Sequence, residues 1–162
     1  MHPLAILQSL ALLALANGAP VIAKRLLGGH FAQPVDTGVL FCDGRPVFGP
    51  SKTVRGIVAA ILAATAGALL MGLEPVVGAL VASAAMAGDL LSSFTKRRLG
   101  RRPSSRALGL DQGPESLLPL WACRGMLGLS AADIALAVAI FFVGEVVFSR
   151  LLYQVHLRDE PY

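Results

Sequence analysis

Long apolar blocks, parted by two short stretches that hold most of the positive charge, constrain this sequence more than any single motif. Residues 3–23, 52–72, 75–98 and 131–155 each match the length of about 20 residues that crosses a hydrocarbon layer of ~30 Å. Charged residues make up only 15% of the chain, whereas about 25% is usual for soluble proteins. The pattern predicts one all-α integral membrane domain over residues 1–162, with about five transmembrane helices and two basic cytoplasmic loops.

The first block carries no positive charge ahead of it, and Lys24 and Arg25 follow it directly. A secretory signal has the opposite order, so a retained first transmembrane helix is expected. Asn17-Gly18-Ala19-Pro20 near its end should weaken that helix and leave a carbonyl unpaired. In the second block Ala59, Ala63 and Gly67 repeat every four residues, and in the third Ala79, Ser83 and Ala87 do the same. Two such stripes let helix backbones approach closely, and they are expected to face each other.

Residues 115–128 are the short segment. Fourteen residues reach about 21 Å, and Pro119 and Arg124 interrupt them, so a tilted, kinked or half-inserted helix is expected. Counting it as a crossing puts both basic stretches, 24–55 and 96–106, on one side with Arg150 and Arg158. By the positive-inside rule the N-terminus is then outside and both polar stretches are cytoplasmic, in the cell (inner) membrane. Cys42 and Cys123 fit no metal or disulfide pattern, and His2, His30 and His156 are isolated.

The chemistry gathers at the ends of the blocks. In Gly88–Arg98, GDLLSSFTKRR, a helix places Asp89, Ser93 and Lys96 on one face across roughly two turns, about 10 Å. An acid at the mouth of a membrane helix is a candidate functional site. Gly49-Pro50-Ser51-Lys52-Thr53 resembles the end of a phosphate loop, but Pro50 and Ser51 break the pattern and no strand precedes it. Ser51 would still cap the second helix, whose N-terminal N–H groups attract anions, with Lys52 and Arg55 adding charge.

Each feature also has a plain structural explanation. Asp89 would pair with a Lys or Arg between helices, Asp43-Gly44 would be a turn, and Arg101 and Arg102 would only set topology and touch anionic lipid. Taken together, three acids (Asp43, Asp89, Asp111), two cationic clusters and a helix N-terminus on one face suit phosphoryl or nucleotidyl transfer with magnesium. At a bilayer boundary the substrates would be a phosphate-bearing lipid and a soluble nucleotide.

Four motifs, NGAP at 17–20, DGRPVFGPSKTVRG at 43–56, GDLLSSFTKRR at 88–98 and LDQGPESLLP at 110–119, closely resemble the CDP-archaeol synthase family. These are small membrane cytidylyltransferases related to CDP-diacylglycerol synthases. The resemblance implies that CTP and a lipid phosphomonoester give a CDP-lipid and pyrophosphate, with Mg2+ as cofactor. It implies catalytic roles for Asp89, Lys96 and Asp111, and metal ligation by Asp89, Asp111 and Asp43. It implies substrate binding by Lys52, Thr53, Arg55, Ser93, Arg97, Arg98 and Gln112.

CTP, the lipid phosphate and membrane lipids are the implied partners, with room for a homo-oligomer and no part for nucleic acid. The stretches at 34–38 and after Asp111 depart from the archaeal forms and look more like bacterial relatives, which leaves ether-linked and diacyl tails both open. Two other readings compete. One is a non-catalytic membrane transporter or assembly factor with a basic cytoplasmic face; the other is a lipid kinase or phosphatase.

Overall fold

A computed structural model describes residues 1–102, 105, 107 and 109–154, with side chains to residue 147. Arg106, His156 and Arg158 lie outside the described residues, as does the side chain of Arg150. The helices are α1 (Pro3–Leu27), α2 (Val54–Leu70), α3 (Pro75–Arg98), α4 (Gln112–Ala122), α5 (Arg124–Leu127) and α6 (Ala131–Gln154). Among the described residues the only β structure is two isolated bridges, Pro34 to Thr53 and Leu40 to Pro46.

Contacts at the two ends of the bundle show which helix termini lie together. At one end the His2 backbone N–H donates to Asp133 Oδ1 at 3.0 Å, while the His2 ring meets Oδ2 at 2.9 Å. Ser130 adds its N–H and hydroxyl to the same carboxylate. The start of α1 is thereby tied to the start of α6, and Gln8 on α1 reaches the Met71 carbonyl just after α2. The opposite end gathers the close of α1 and α3 and the start of α2 and α4.

Small residues build much of the interior, beside a few large ones such as Leu12, Leu13 and Leu120, and many other large residues face out. Leu4, Leu7, Leu62, Leu70 and Val143 are exposed, while Ala60, Ala64, Ala68, Ala82 and Ala85 are completely buried. That inversion suits a lipid surround, where association rests on close packing of small residues instead of water exclusion. By length and composition α1 and α3 are able to cross a membrane, and α2 is a shorter apolar helix.

The packing registers differ from those expected. The buried row of α2 is Gly56, Ala60, Ala64 and Gly67, one step round from Ala59 and Ala63, which are half-buried. On α3 the buried row runs through Gly78, Ala82 and Ala85, and the expected Ser83 and Ala87 are exposed. Helices this rich in alanine and glycine offer adjacent rows of equal smallness, so only the fit to a neighbour selects one. Gly78 marks the chosen contact: a Cβ there would lie 2.2 Å from the Ala64 carbonyl oxygen.

Two further expectations resolve locally. α1 continues through Pro20 to Leu27, and the Asn17 amide donates to the Leu13 carbonyl. The short fourth segment becomes two helices, with Pro119 inside α4, a break at Cys123, and Gly128 in the left-handed region (φ 65°) closing α5. α4 is held against α3 at Gly88, where an added Cβ would lie 2.3 Å from the Pro114 carbonyl oxygen. Because that neighbour is backbone and cannot swing aside, Gly88→Ala should cost about 1–3 kcal/mol. A thermal melt of the detergent-solubilised protein checks this, and an unchanged melting temperature would contradict the contact.

Candidate active site

Lys52 reaches the site because the loop before α2 is pinned at its backbone. Val35 N–H donates to the Lys52 carbonyl at 2.8 Å, and Val54 N–H donates to Gln33 at 3.0 Å. Thr53 caps α2, its Oγ1 accepting from Gly56 N–H, so the helix starts two residues later than a Ser51 cap would place it. From this fixed base the Lys52 ammonium meets both oxygens of Asp89 at 2.6 Å. The Asp89 pairing expected on structural grounds is therefore present, and the lysine is one of the candidate site residues.

Glu115, on the first turn of α4, completes the group. It is only 6% exposed, its carboxyl lies beside that of Asp89, and the charges of Glu145 and Lys52 act on it. The Gly88 contact explains this proximity, since it brings the backbone of Pro114 and Glu115 onto α3 one residue before Asp89. Asp89 thus faces the Lys52 ammonium on one side and Glu115 on the other. Carboxyl groups in direct contact share either a proton or a cation. Neither Glu115 nor Glu145 was among the expected site residues. The available signal was simply an acid inside an otherwise apolar segment.

The next level along α3 is built from Ser93, Lys96 and Arg97 against the start of α4. Lys96 pairs with Asp111 at 2.7 Å and donates to the Ser105 carbonyl. Asp111 Oδ2 also accepts the Ala107 N–H at 2.9 Å, and Gln112 Oε1 accepts that of Gly109. Asp111 and Gln112 therefore shape the turn that enters α4. Arg97 is 4% exposed and uses Nη2 on the Arg102 carbonyl. Its Nε and Nη1 have no hydrogen-bond partner among the described residues, nor does the hydroxyl of Ser93, which is 2% exposed. Buried donors without acceptors are costly, and an anionic oxygen supplies what they lack.

Asp43, Arg98 and Arg55 are engaged elsewhere. Arg98 donates to Asp43 Oδ1 at 2.7 Å and to the carbonyls of Arg45 and Pro46. Its guanidinium lies over Phe41 and Phe94 at 4.7 and 5.0 Å, and those rings meet edge-on. Arg45 returns the contact by donating to the carbonyls of Arg97 and Arg98 at the end of α3. Arg55 donates to the carbonyls of Gly28 and His30 just beyond α1. These arginines fasten loop to helix, and the structure does not bring Asp43 to Asp89.

Arg98→Ala is expected to lower stability by about 2–3 kcal/mol, through the lost hydrogen bonds and ring stacking. Arg98→Lys should recover little of it, because an ammonium lacks the planar fork. Thermal melts compare the three proteins; full recovery by lysine would reduce the contact to simple charge pairing.

A family model described as CarS-like, CDP-archaeol synthase, matches residues 4–162. The CDP-archaeol synthase of Pyrobaculum calidifontis is 33% identical over 156 residues, covering 91% of this chain and 90% of that protein. That of Hyperthermus butylicus is 41% identical over 115 residues, 67% of this chain, and the match spans 63% of the relative's own length. A solved structure, described as an intramembrane enzyme for archaeal membrane lipids biosynthesis, superposes with a TM-score of 0.69 at 31% identity. It covers 84% of this chain and 89% of the other.

Proposed function

The chain belongs to the CDP-archaeol synthase family, and from that premise we propose that it transfers CMP from CTP to a lipid phosphomonoester. The products are pyrophosphate and a CDP-activated lipid for phospholipid biosynthesis. The observation that carries this reading is the Lys52–Asp89–Glu115 group with the Ser93 and Arg97 donors that lack partners among the described residues, one level along α3. Cation, carboxylates and buried donors stand together at the junction of α3 with the start of α4.

A lipid phosphate oxygen attacks the α-phosphorus of CTP; a new P–O bond forms, and the bond to the β-phosphate bridging oxygen breaks. The leaving pyrophosphate takes the electron pair. No covalent enzyme intermediate is needed, and catalysis rests on positioning and charge. Ser93 Oγ–H and the Nε and Nη1 of Arg97 bind phosphate oxygens. Lys52 orients the triphosphate, and Lys96, steered by Asp111, holds charge at the leaving side. Thr53, Arg55, Gln112, Asp43 and Arg98 shape the loops that carry these groups.

Asp89 and Glu115 fit a magnesium ion, which takes one or two carboxylates together with substrate phosphates and needs no larger protein cage. Among the described residues no three-residue His, Cys, Asp or Glu cage occurs. When bound there, magnesium would neutralise phosphate charge. We assign the crossings to α1, α2, α3, α4 with α5, and α6. The N-terminus is outside and the site is at the cytoplasmic face, as the charge asymmetry of the loops requires.

The test is labelled CTP with magnesium and a panel of diacyl and ether-linked isoprenoid phosphomonoesters in detergent. Label should enter lipid as pyrophosphate appears, and the panel reads the tail preference. Release of inorganic phosphate or a nucleoside diphosphate would favour a phosphatase or kinase. No CTP binding with any lipid would favour a transporter or assembly factor.

A further inference from the structure

We propose that Asp36, which lies outside the substrate-binding group, is a positioning residue for Lys52. Its carboxylate moulds the turn from which that lysine projects. Asp36 is 8% exposed, and Oδ2 accepts the successive N–H groups of Phe48 and Gly49 at 2.8 and 2.7 Å. Oδ1 accepts the Gly38 N–H at 3.2 Å. The preceding residue, Val35, donates to the carbonyl of Lys52, and Lys52 N–H donates to the Gly49 carbonyl. The segment 35–36 thus grips the turn at both ends, and the residues between have little freedom to redirect the lysine.

The local backbone is consistent with a turn held from outside. Gly49 sits at φ 94°, and Thr37, which is not a glycine, sits at φ 47°. A left-handed threonine costs of order 1 kcal/mol or more and persists only where its surroundings over-determine it. Among the described residues the hydrogen-bond partners of Asp36 are all backbone N–H groups. Burial acts to raise its pKa, but the N–H groups of Gly49, Phe48, Gly38 and Asp36 itself outweigh that and hold the carboxyl below its ordinary value. Its stabilising contribution is therefore complete above the ordinary range near ~3.9 and fades as pH falls through the lower folded value.

The consequence for catalysis rests on the reading of Lys52 given above, so the experiment separates the two. The chain contains three lysines, Lys24, Lys52 and Lys96. Acetylation of each by a small acylating reagent is followed by mass spectrometry on the full protein in detergent, at neutral pH. CTP affinity is measured in parallel. Asp36→Asn keeps one acceptor oxygen and the shape of the residue; Asp36→Ala removes both.

Lys52 labelling, relative to exposed Lys24, should rise by about fivefold in Asp36→Ala through local opening of the turn, and by less in Asp36→Asn. Lys96 should stay protected, and CTP affinity should fall in step with Lys52 labelling. Unchanged Lys52 labelling in both variants overturns the proposal, as does a parallel rise at Lys96, which marks general loosening. Selective Lys52 labelling with unaltered CTP affinity upholds the positioning role and removes Lys52 from CTP binding instead.

Discussion

Asp89→Asn should leave a folded protein with turnover reduced at least about a hundredfold, the scale on which loss of one preorganised electrostatic partner is felt in an active site. The change is nearly isosteric, so packing at Gly88 and along α3 is retained. What disappears is the charge that faces Lys52 at 2.6 Å and the carboxyl that meets Glu115. A neutral amide cannot serve a hard cation as a carboxylate does. Transfer of label from CTP to lipid measures the loss, and a melting curve shows that the fold survives. Near-normal turnover would confine Asp89 to holding α2 and α3 together.

Lys52→Ala is expected to raise the KM for CTP by about tenfold or more while changing the KM for lipid phosphate much less. The lysine is the cation that the structure aims at Asp89, and its removal leaves Asp89 and Glu115 beside each other without it. Repulsion among those carboxyls would oppose entry of a triphosphate, so the penalty falls on the nucleotide. The pair is partly solvent-exposed, with side-chain exposures of 23% and 18%, and solvent screening therefore limits its contribution to stability. Equal effects on both substrates would move Lys52 to the lipid side of the site.

Much of the architecture was legible because apolar length is decisive in a chain with so little charge. The α3 limits, Pro75 to Arg98, match the expected 75–98, where a proline opens the helix and a basic cluster closes it. Packing registers were not legible. Ala59–Ala63 and Ala60–Ala64 are equivalent by composition, and only the approach of Gly78 to the Ala64 carbonyl distinguishes them. Ser51 looked like the cap of α2, but the bridge between Pro34 and Thr53 shifts the start so that Thr53 caps it.

The candidate site divides in the same way. Asp89, Ser93 and Lys96 were expected on one helical face, and the last two are buried while Asp89 is half-buried. Residue type alone could not tell Arg97, whose Nε and Nη1 have no partner among the described residues, from Arg98, which commits both Nη atoms to Asp43 and two carbonyls and leaves only Nε without one. They are neighbours in sequence, but successive residues on a helix point about 100° apart, toward different surroundings. Glu115 was passed over because its one local mark, an acid in an apolar segment, does not say what it meets; its place beside Asp89 comes from a glycine 27 positions earlier that lets α4 lie against α3.

The sequence by itself determined an all-helical membrane chain with its charged groups gathered at one end, because uninterrupted apolar length and the placement of Lys and Arg act without reference to any neighbour. Its motifs also carried the family. Tertiary structure alone decided which acid meets which cation, which small residues touch, and that Glu115 joins Asp89 while Asp43 does not. Those choices depend on sub-ångström fit between backbones at Gly78 and Gly88 and on carbonyls and N–H groups distant in the chain. No linear pattern of residue types encodes them separately.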